Sequence, residues 1–173
     1  MTAATYTPRE MIERLGLVPL PREGGWYRET HRSAETLPAA SLPRRYGRDK
    51  AFVTAIHYLL APGTFSRLHR LPSDELYVWQ LGDAAHLLVL HADGRDEELV
   101  LGPDLAAGQR LQAVVPAGAW QGGTLAPGGA WSLLAVVVAP GFDFEDYEDV
   151  ADIAALEARH PARAGRIREL TRR

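Results

Sequence analysis

The stretch GTFSRLHRLPSDELYVWQLG, residues 63–82, sets the terms for reading the whole chain. A glycine closes each end, and His69 precedes Glu75 by six positions. The residues admit three readings: half of a metal site, an acid/base pair working without metal, or the polar rim of a β-barrel. In a strand, alternate side chains share a face. With Glu75 pointing inward, Tyr77 and Trp79 point inward too, while Leu76 and Val78 pack outward.

From Lys50 onward the sequence breaks into short β-like runs: AFVTAIHYLL, ELYVWQLG, AHLLVLH, EELVLG, RLQAVVP and WSLLAVVVAP. The breaks between them are APGT, LPSD, ADGRD, GPDLAAGQ, PAG and APGGA. Runs at this spacing, joined by hairpin-type turns, predict an all-β sandwich or barrel. Ahead of them, TPREMIERLGL carries a helix start, with Thr7 as N-cap, Pro8 in the first turn, Glu10 closing a capping box and Gly16 as the stop. PLPREGGWYRETHRS reads as extended after a Pro/Gly entry, and LPAASLPRRYGRDK as an exposed loop. The acidic run FDFEDYEDV reads as a solvated turn, with Phe142 and Phe144 covering a barrel end. Short helices follow, broken at Pro161. The expectation is one domain over residues 1–173, with its core at about 15–148 and a helical tail at 150–173.

A length of 173 residues with 46% apolar content suits one well-filled core. The formal charge of −3 is small and its acids and bases are interleaved, which argues against nucleic acid as a partner. No cysteine is present, so disulfides, thiolate catalysis and Cys-ligated metals are excluded. The basic residues are arginines apart from Lys50. The N-terminus lacks the apolar core of a signal peptide, and the longest apolar run, LLAVVVA at 133–139, is far short of a bilayer span. A cytoplasmic protein without a membrane partner is expected.

Gly63, His69, Glu75 and Gly82 fall in the register of the first cupin motif, with Leu71 where that motif has a second histidine. PAGAWQ supplies Pro116 and Gly118 of the second motif, with Gln121 in place of its histidine. Together with EGGWYRETHRS, LGPDLAAGQRLQAVVPAGAWQ and VAPGFDFEDYE, these segments resemble the Cupin-5 family, long a domain of unknown function. The resemblance runs from about Leu15 to Glu148. It implies a double-stranded β-helix (the cupin jelly-roll barrel) related to deoxysugar epimerases, in a homodimer, without implying an established reaction. The extended segment at 24–33 is the candidate for pairing with a second subunit, because a jelly-roll edge needs covering.

The chemistry follows from the side chains. His69, Glu75 and Gln121 would be the ligands of a divalent transition metal, but they offer one imidazole, one carboxylate and one weak amide oxygen. No cofactor is otherwise called for. Acid/base work needs less: His69 as base, Asp74 and Glu75 as its electrostatic partners, and Tyr77 as the acid. Around them Glu23, Thr30, Arg32, Ser66, Arg70, Trp79, Gln112 and Gln121 are candidate contacts to a small-molecule ligand, with the arginines available for phosphate or carboxylate. His57, on an apolar strand, reads as a core histidine satisfied by hydrogen bonds. The readings are thus a metal-independent sugar or sugar-nucleotide epimerase or isomerase, a metal-dependent oxygenase or isomerase, and a non-catalytic ligand-binding protein.

Overall fold

The structure, a computed structural model, describes residues 6–172. Helix α1 (Pro8–Leu15) begins as its sequence demands. The Thr7 hydroxyl accepts the Glu10 N–H, the Glu10 carboxylate accepts the Thr7 N–H, and Gly16 ends the helix in the left-handed conformation at φ 60°. The strands that follow are β1 (Val18–Pro19), β2 (Trp26–Arg32), β3 (Thr36–Leu37), β4 (Lys50–Ala51), β5 (Thr54–Leu60), β6 (Phe65–Arg70) and β7 (Asp74–Gly82). The second half adds β8 (Ala85–Leu90), β9 (Asp96–Leu101), β10 (Gln112–Val115), β11 (Trp120–Leu125), β12 (Ser132–Ala139) and β13 (Glu148–Asp149). Helices α2 (Ile153–Arg159) and α3 (Ala164–Thr171) close the described chain, joined by a 3-10 turn that starts at Pro161.

Two antiparallel sheets form the jelly roll. One runs β1-β2-β5-β12-β7-β10 and the other β13-β6-β11-β8-β9. The inward residues of both, including Tyr58, Leu60, Tyr77, Leu87, Val89, Leu101, Val115 and Leu134, make a single core. Outside the five-stranded sheet, α2 and α3 cover Leu68, Leu88 and Leu90 with Leu156, Ile167 and Leu170. Outside the six-stranded sheet, α1 covers Leu59 and Leu133 with Met11. Each helix buries an apolar stripe that its own short length could not stabilise in water.

Two β-bulges matter more than the regular pairing. Gln121 pairs with His69 and Gly123 with Ser66, so two residues of β6, Arg67 and Leu68, stand opposite Gly122 alone. In a regular strand Ser66 and His69, three apart, would face opposite ways. The bulge turns both inward. Gly122 is required there, because a Cβ would lie 2.9 Å from the Ser66 carbonyl oxygen and 3.1 Å from the Leu68 backbone. On β2 a second register shift falls between Glu29 and His31, where Thr30 is the extra residue, and it brings Glu29 and Arg32 onto one face.

The run-and-break reading gives neither β6 nor β11 as a strand, yet these two carry Ser66, His69 and Gln121. The acidic run is also not a solvated turn. Asp143 and Asp146 both meet the Lys50 ammonium, whose side chain is 0% exposed, and the Asp143 contact is 2.6 Å. Arg32 adds bonds to Asp143 and to the Phe142 carbonyl oxygen, at 3.2 and 2.9 Å. The segment Phe142–Tyr147 is therefore a strap fastened across the barrel mouth. His57 lies on the outer face of its sheet, its Nδ1 3.1 Å from the Gln80 side-chain oxygen.

Candidate functional site

Beneath the strap lies a cavity of about 420 Å³. Tyr27, Ile56, Leu71, Val136, Val138, Phe142 and Phe144 make its apolar walls, while Glu29, Arg32, Asp143 and Glu145 stand among its polar groups with Glu23 and Glu75. The deeper barrel is filled by Tyr58, Tyr77, Leu60 and Leu134 around a void of about 10 Å³, too small for a ligand. The cavity is thus a shallow chamber.

Backbone geometry places the polar cluster. Arg67, in the β6 bulge, donates its N–H to the Glu23 carbonyl at 2.8 Å. Its own carbonyl lies 2.7 Å from His69 Nδ1. A carbonyl only accepts, so Nδ1 carries the proton and Nε2 is left as the ring's acceptor. His69 Nε2 faces Glu23 Oε2 at 3.9 Å, and the ring stacks on Tyr147 with centroids 4.7 Å apart. Ser66 donates its hydroxyl to Glu23 Oε1 at 2.7 Å. The Gln121 amide nitrogen donates to Glu75 Oε2, while Gln121 Oε1 is buried without a partner.

Burial governs the charges. It pushes the Glu23 carboxyl up to about 7, against the pull of hydrogen bonds from Ser66 and Tyr58. It pushes Glu75 to about 7 as well; His69 opposes the rise, and the nearby Glu23 adds to it. Burial lowers His69 below its ordinary range, with Glu75 and the Arg67 carbonyl resisting. Tyr77 is driven well above the usual phenol range by burial and by the Glu75 and Glu23 carboxyls.

The expected site residues separate into groups. Glu23, Glu75 and Arg32 line the cavity. Ser66, His69 and Gln121 form a buried layer in contact with those carboxyls, and His69, 1% exposed, is not itself on the wall. Tyr77 sits in the packed core next to Glu75.

Five expectations are corrected. Asp74 points away from Glu75, as neighbours on a strand must, and is exposed at the strand end, where it accepts the Ala117 N–H at 2.8 Å. Trp79 lies beyond the Tyr77 plug, its indole N–H on the Asp83 carbonyl at 3.2 Å. Gln112 faces solvent because Ala113 and Val115 take the inward positions of β10. Thr30, the bulged residue, is exposed with its hydroxyl on the Ala55 carbonyl. Arg70 lines a separate open cleft on the far side of the strap, bound to Glu148 at 2.9 Å and stacked over Trp120. Sequence reasoning missed Tyr27, Glu29 and Tyr147; the Thr30 bulge hides Glu29, and Tyr147 lies in a run that reads as solvated.

A divalent metal does not fit these residues. Among the described residues, no three His, Asp or Glu side chains are grouped to hold an ion. Gln121 turns its nitrogen, not its oxygen, to Glu75, and Leu71 is buried hydrocarbon on the cavity wall.

The model of the Cupin-5 family, described as Cupin superfamily (DUF985), matches residues 9–150. The chain belongs to the Cupin-5 family. A Leishmania major hypothetical protein of solved structure is 32% identical, with 97% of this chain and 100% of that one covered at a TM-score of 0.83. The uncharacterized Saccharomyces cerevisiae protein YML079W is 32% identical over 135 residues, 73% of this chain and 67% of its own. Oxalate decarboxylase from Bacillus subtilis shares the fold at a TM-score of 0.53 and 14% identity, covering 98% of this chain and 40% of that one. Among the described residues of this Cupin-5 chain, no helix is long and apolar enough to cross a membrane.

Proposed function

We propose that the cavity binds a compact polar metabolite and moves a proton on it, as an epimerase or isomerase of a small carbonyl compound does. One observation carries this reading: two carboxyl groups, Glu23 and Glu75, stand at the base of an apolar-walled chamber, both held at about 7. Near neutrality one of such a pair ionises while the other keeps its proton, which is the division of labour that acid/base catalysis needs. The ionised carboxylate takes a proton from the carbon beside the carbonyl, and the protonated partner delivers one to the opposite face or to the neighbouring atom. His69, with Nδ1 fixed by the Arg67 carbonyl and Nε2 3.9 Å from Glu23, backs the pair as a positioning group.

The arginines narrow the substrate. Arg32 is engaged by Glu29 and Asp143, and Arg70 by Glu148, so neither presents a free guanidinium to a sugar-nucleotide phosphate. A sugar-sized carbonyl compound without the nucleotide is favoured. To test this, small keto-sugars are incubated in deuterated water with the wild type, Glu75→Gln and His69→Ala. Deuterium incorporation by the wild type that is abolished in Glu75→Gln is expected; equal uptake by all three would end the assignment.

We further propose that the chain pairs with a second copy. The outer face of the six-stranded sheet carries a row of matched apolar residues, Val114, Leu76, Val137 and Ala55, on four neighbouring strands. The described helices pack elsewhere, α1 on Leu59 and Leu133 and α2 and α3 on the other sheet, and Val114 is 55% exposed.

A further inference from the structure

The polar groups around the cavity are unbalanced. Five carboxyl groups line it, Glu23, Glu29, Glu75, Asp143 and Glu145, against the single guanidinium of Arg32. The cations nearby are already engaged. Arg32 bonds Glu29 and Asp143, Lys50 bonds Asp143 and Asp146, and Arg48 takes Glu145 at 3.2 Å. Glu23 and Glu75 are different: among the described residues neither has a Lys or Arg ion-pair partner.

The hydrogen-bond inventory points the same way. The donors beside these two carboxyls are in use, the Ser66 hydroxyl on Glu23, the Gln121 amide N–H and the Tyr77 hydroxyl on Glu75, and the Tyr58 hydroxyl shared between Glu23 and the Gly24 carbonyl. The acceptors are not. Gln121 Oε1 is buried with no partner behind Glu75, and Glu23 Oε2 stands 3.9 Å from His69 Nε2, beyond hydrogen-bonding distance. A cavity base of two carboxyls that have no cation of their own, with the neighbouring donors already engaged, asks for N–H groups from its ligand, and an ammonium brings three with a positive charge. The rings of Tyr27, Phe142 and Phe144 line the same cavity, and aromatic rings attract a cation as well as apolar carbon. A phosphate in the same place would meet carboxylates and no free guanidinium.

We propose that the ligand of this cavity is a small ammonium-bearing molecule, its charged nitrogen seated between Glu23 and Glu75 and its carbon skeleton against Tyr27 and Phe142. This rests on the cavity being the functional chamber, but not on any reaction taking place there. A volume of about 420 Å³ admits a molecule of one sugar ring with substituents.

The test is calorimetric and uses two charge-matched sets of probes on the intact protein. One is D-glucosamine, D-glucose and D-glucose 6-phosphate; the other is cyclohexylamine, cyclohexanol and cyclohexanecarboxylate. In at least one set the amine is expected to bind about tenfold or more tightly than its neutral and anionic counterparts. Glu23→Gln, checked for an intact fold by its thermal transition, is expected to reduce that preference to about threefold or less while neutral probes are unaffected. An amine with no advantage in either set, a tighter anion, or a preference untouched by Glu23→Gln would overturn the proposal. Deuterium exchange is a separate readout: a cation preference without exchange leaves this inference standing and ends the proton-transfer reading. Exchange on a neutral substrate that outcompetes the amines does the reverse.

Discussion

Replacing Glu75 by glutamine removes one buried carboxyl while keeping its shape and a hydrogen-bonding partner for Gln121. In the wild type, burial raises this group from its ordinary 4.5 to about 7. A carboxyl whose pKa is raised by folding favours the native state most when protonated. Its contribution is therefore complete below about pH 4.5 and is lost as the pH rises through about 7. The 2.5-unit interval corresponds to about 3 kcal/mol. Glu23 acts in the same direction. His69, lowered by burial, acts in the opposite one: its contribution is present above its ordinary value and is lost as the pH falls through its depressed one. Subtracting the Glu75→Gln curve from the wild-type curve leaves the carboxyl together with its coupling to His69 and Glu23. Denaturant unfolding at several pH values is expected to show the two proteins close in stability near pH 5. By about pH 8 the variant should be more stable by about 3 kcal/mol. Parallel curves across that range would refute the argument that Glu75 is held near neutrality by burial.

Other expectations concern the parts that frame the cavity. Lys50→Met leaves the Asp146 carboxylate without its cation and Asp143 with Arg32 alone, and should cost about 3 kcal/mol or more in urea unfolding, with new protease cleavage between 142 and 147; an unchanged midpoint would show that Arg32 alone fastens the strap. Gly122→Ala drives a methyl against the Ser66 carbonyl, so a loss of about 1–3 kcal/mol is expected by the same assay. A neutral Gly122→Ala would mean that the bulge tolerates side chains. Val114→Asp places a charge in the exposed apolar row, and light scattering should then report a monomer where the wild type is a dimer. A wild type that is already monomeric removes the pairing proposal.

Much of the architecture is legible in the sequence, because turn residues and alternating apolar positions announce most of the strands and the capping box announces α1. Glu75 is placed inward by the family resemblance, Tyr77 by alternation from it and Gln121 by its motif register, and all three are buried. The failures have a common physical origin. FSRLHR and WQGGTL read poorly as strands because one mixes charge with apolar residues and the other contains two glycines. Those features are what a bulged pair needs, since the bulge breaks the alternation and Gly122 makes room for it. The same break on β2 sets Glu29 and Arg32 on one face, which no strict alternation predicts. Asp74 and Gln112 failed for the opposite reason: there the strand is regular, and its regularity sends them outward.

Lys50 is the one lysine of the chain, and its ammonium is wholly enclosed beneath the strap. A folded molecule therefore shows its surroundings no ε-amine at all. Acetylation, ubiquitin conjugation and amine cross-linking have no lysine to act on until the strap releases, so any such mark found at position 50 would report that the mouth of the barrel had opened.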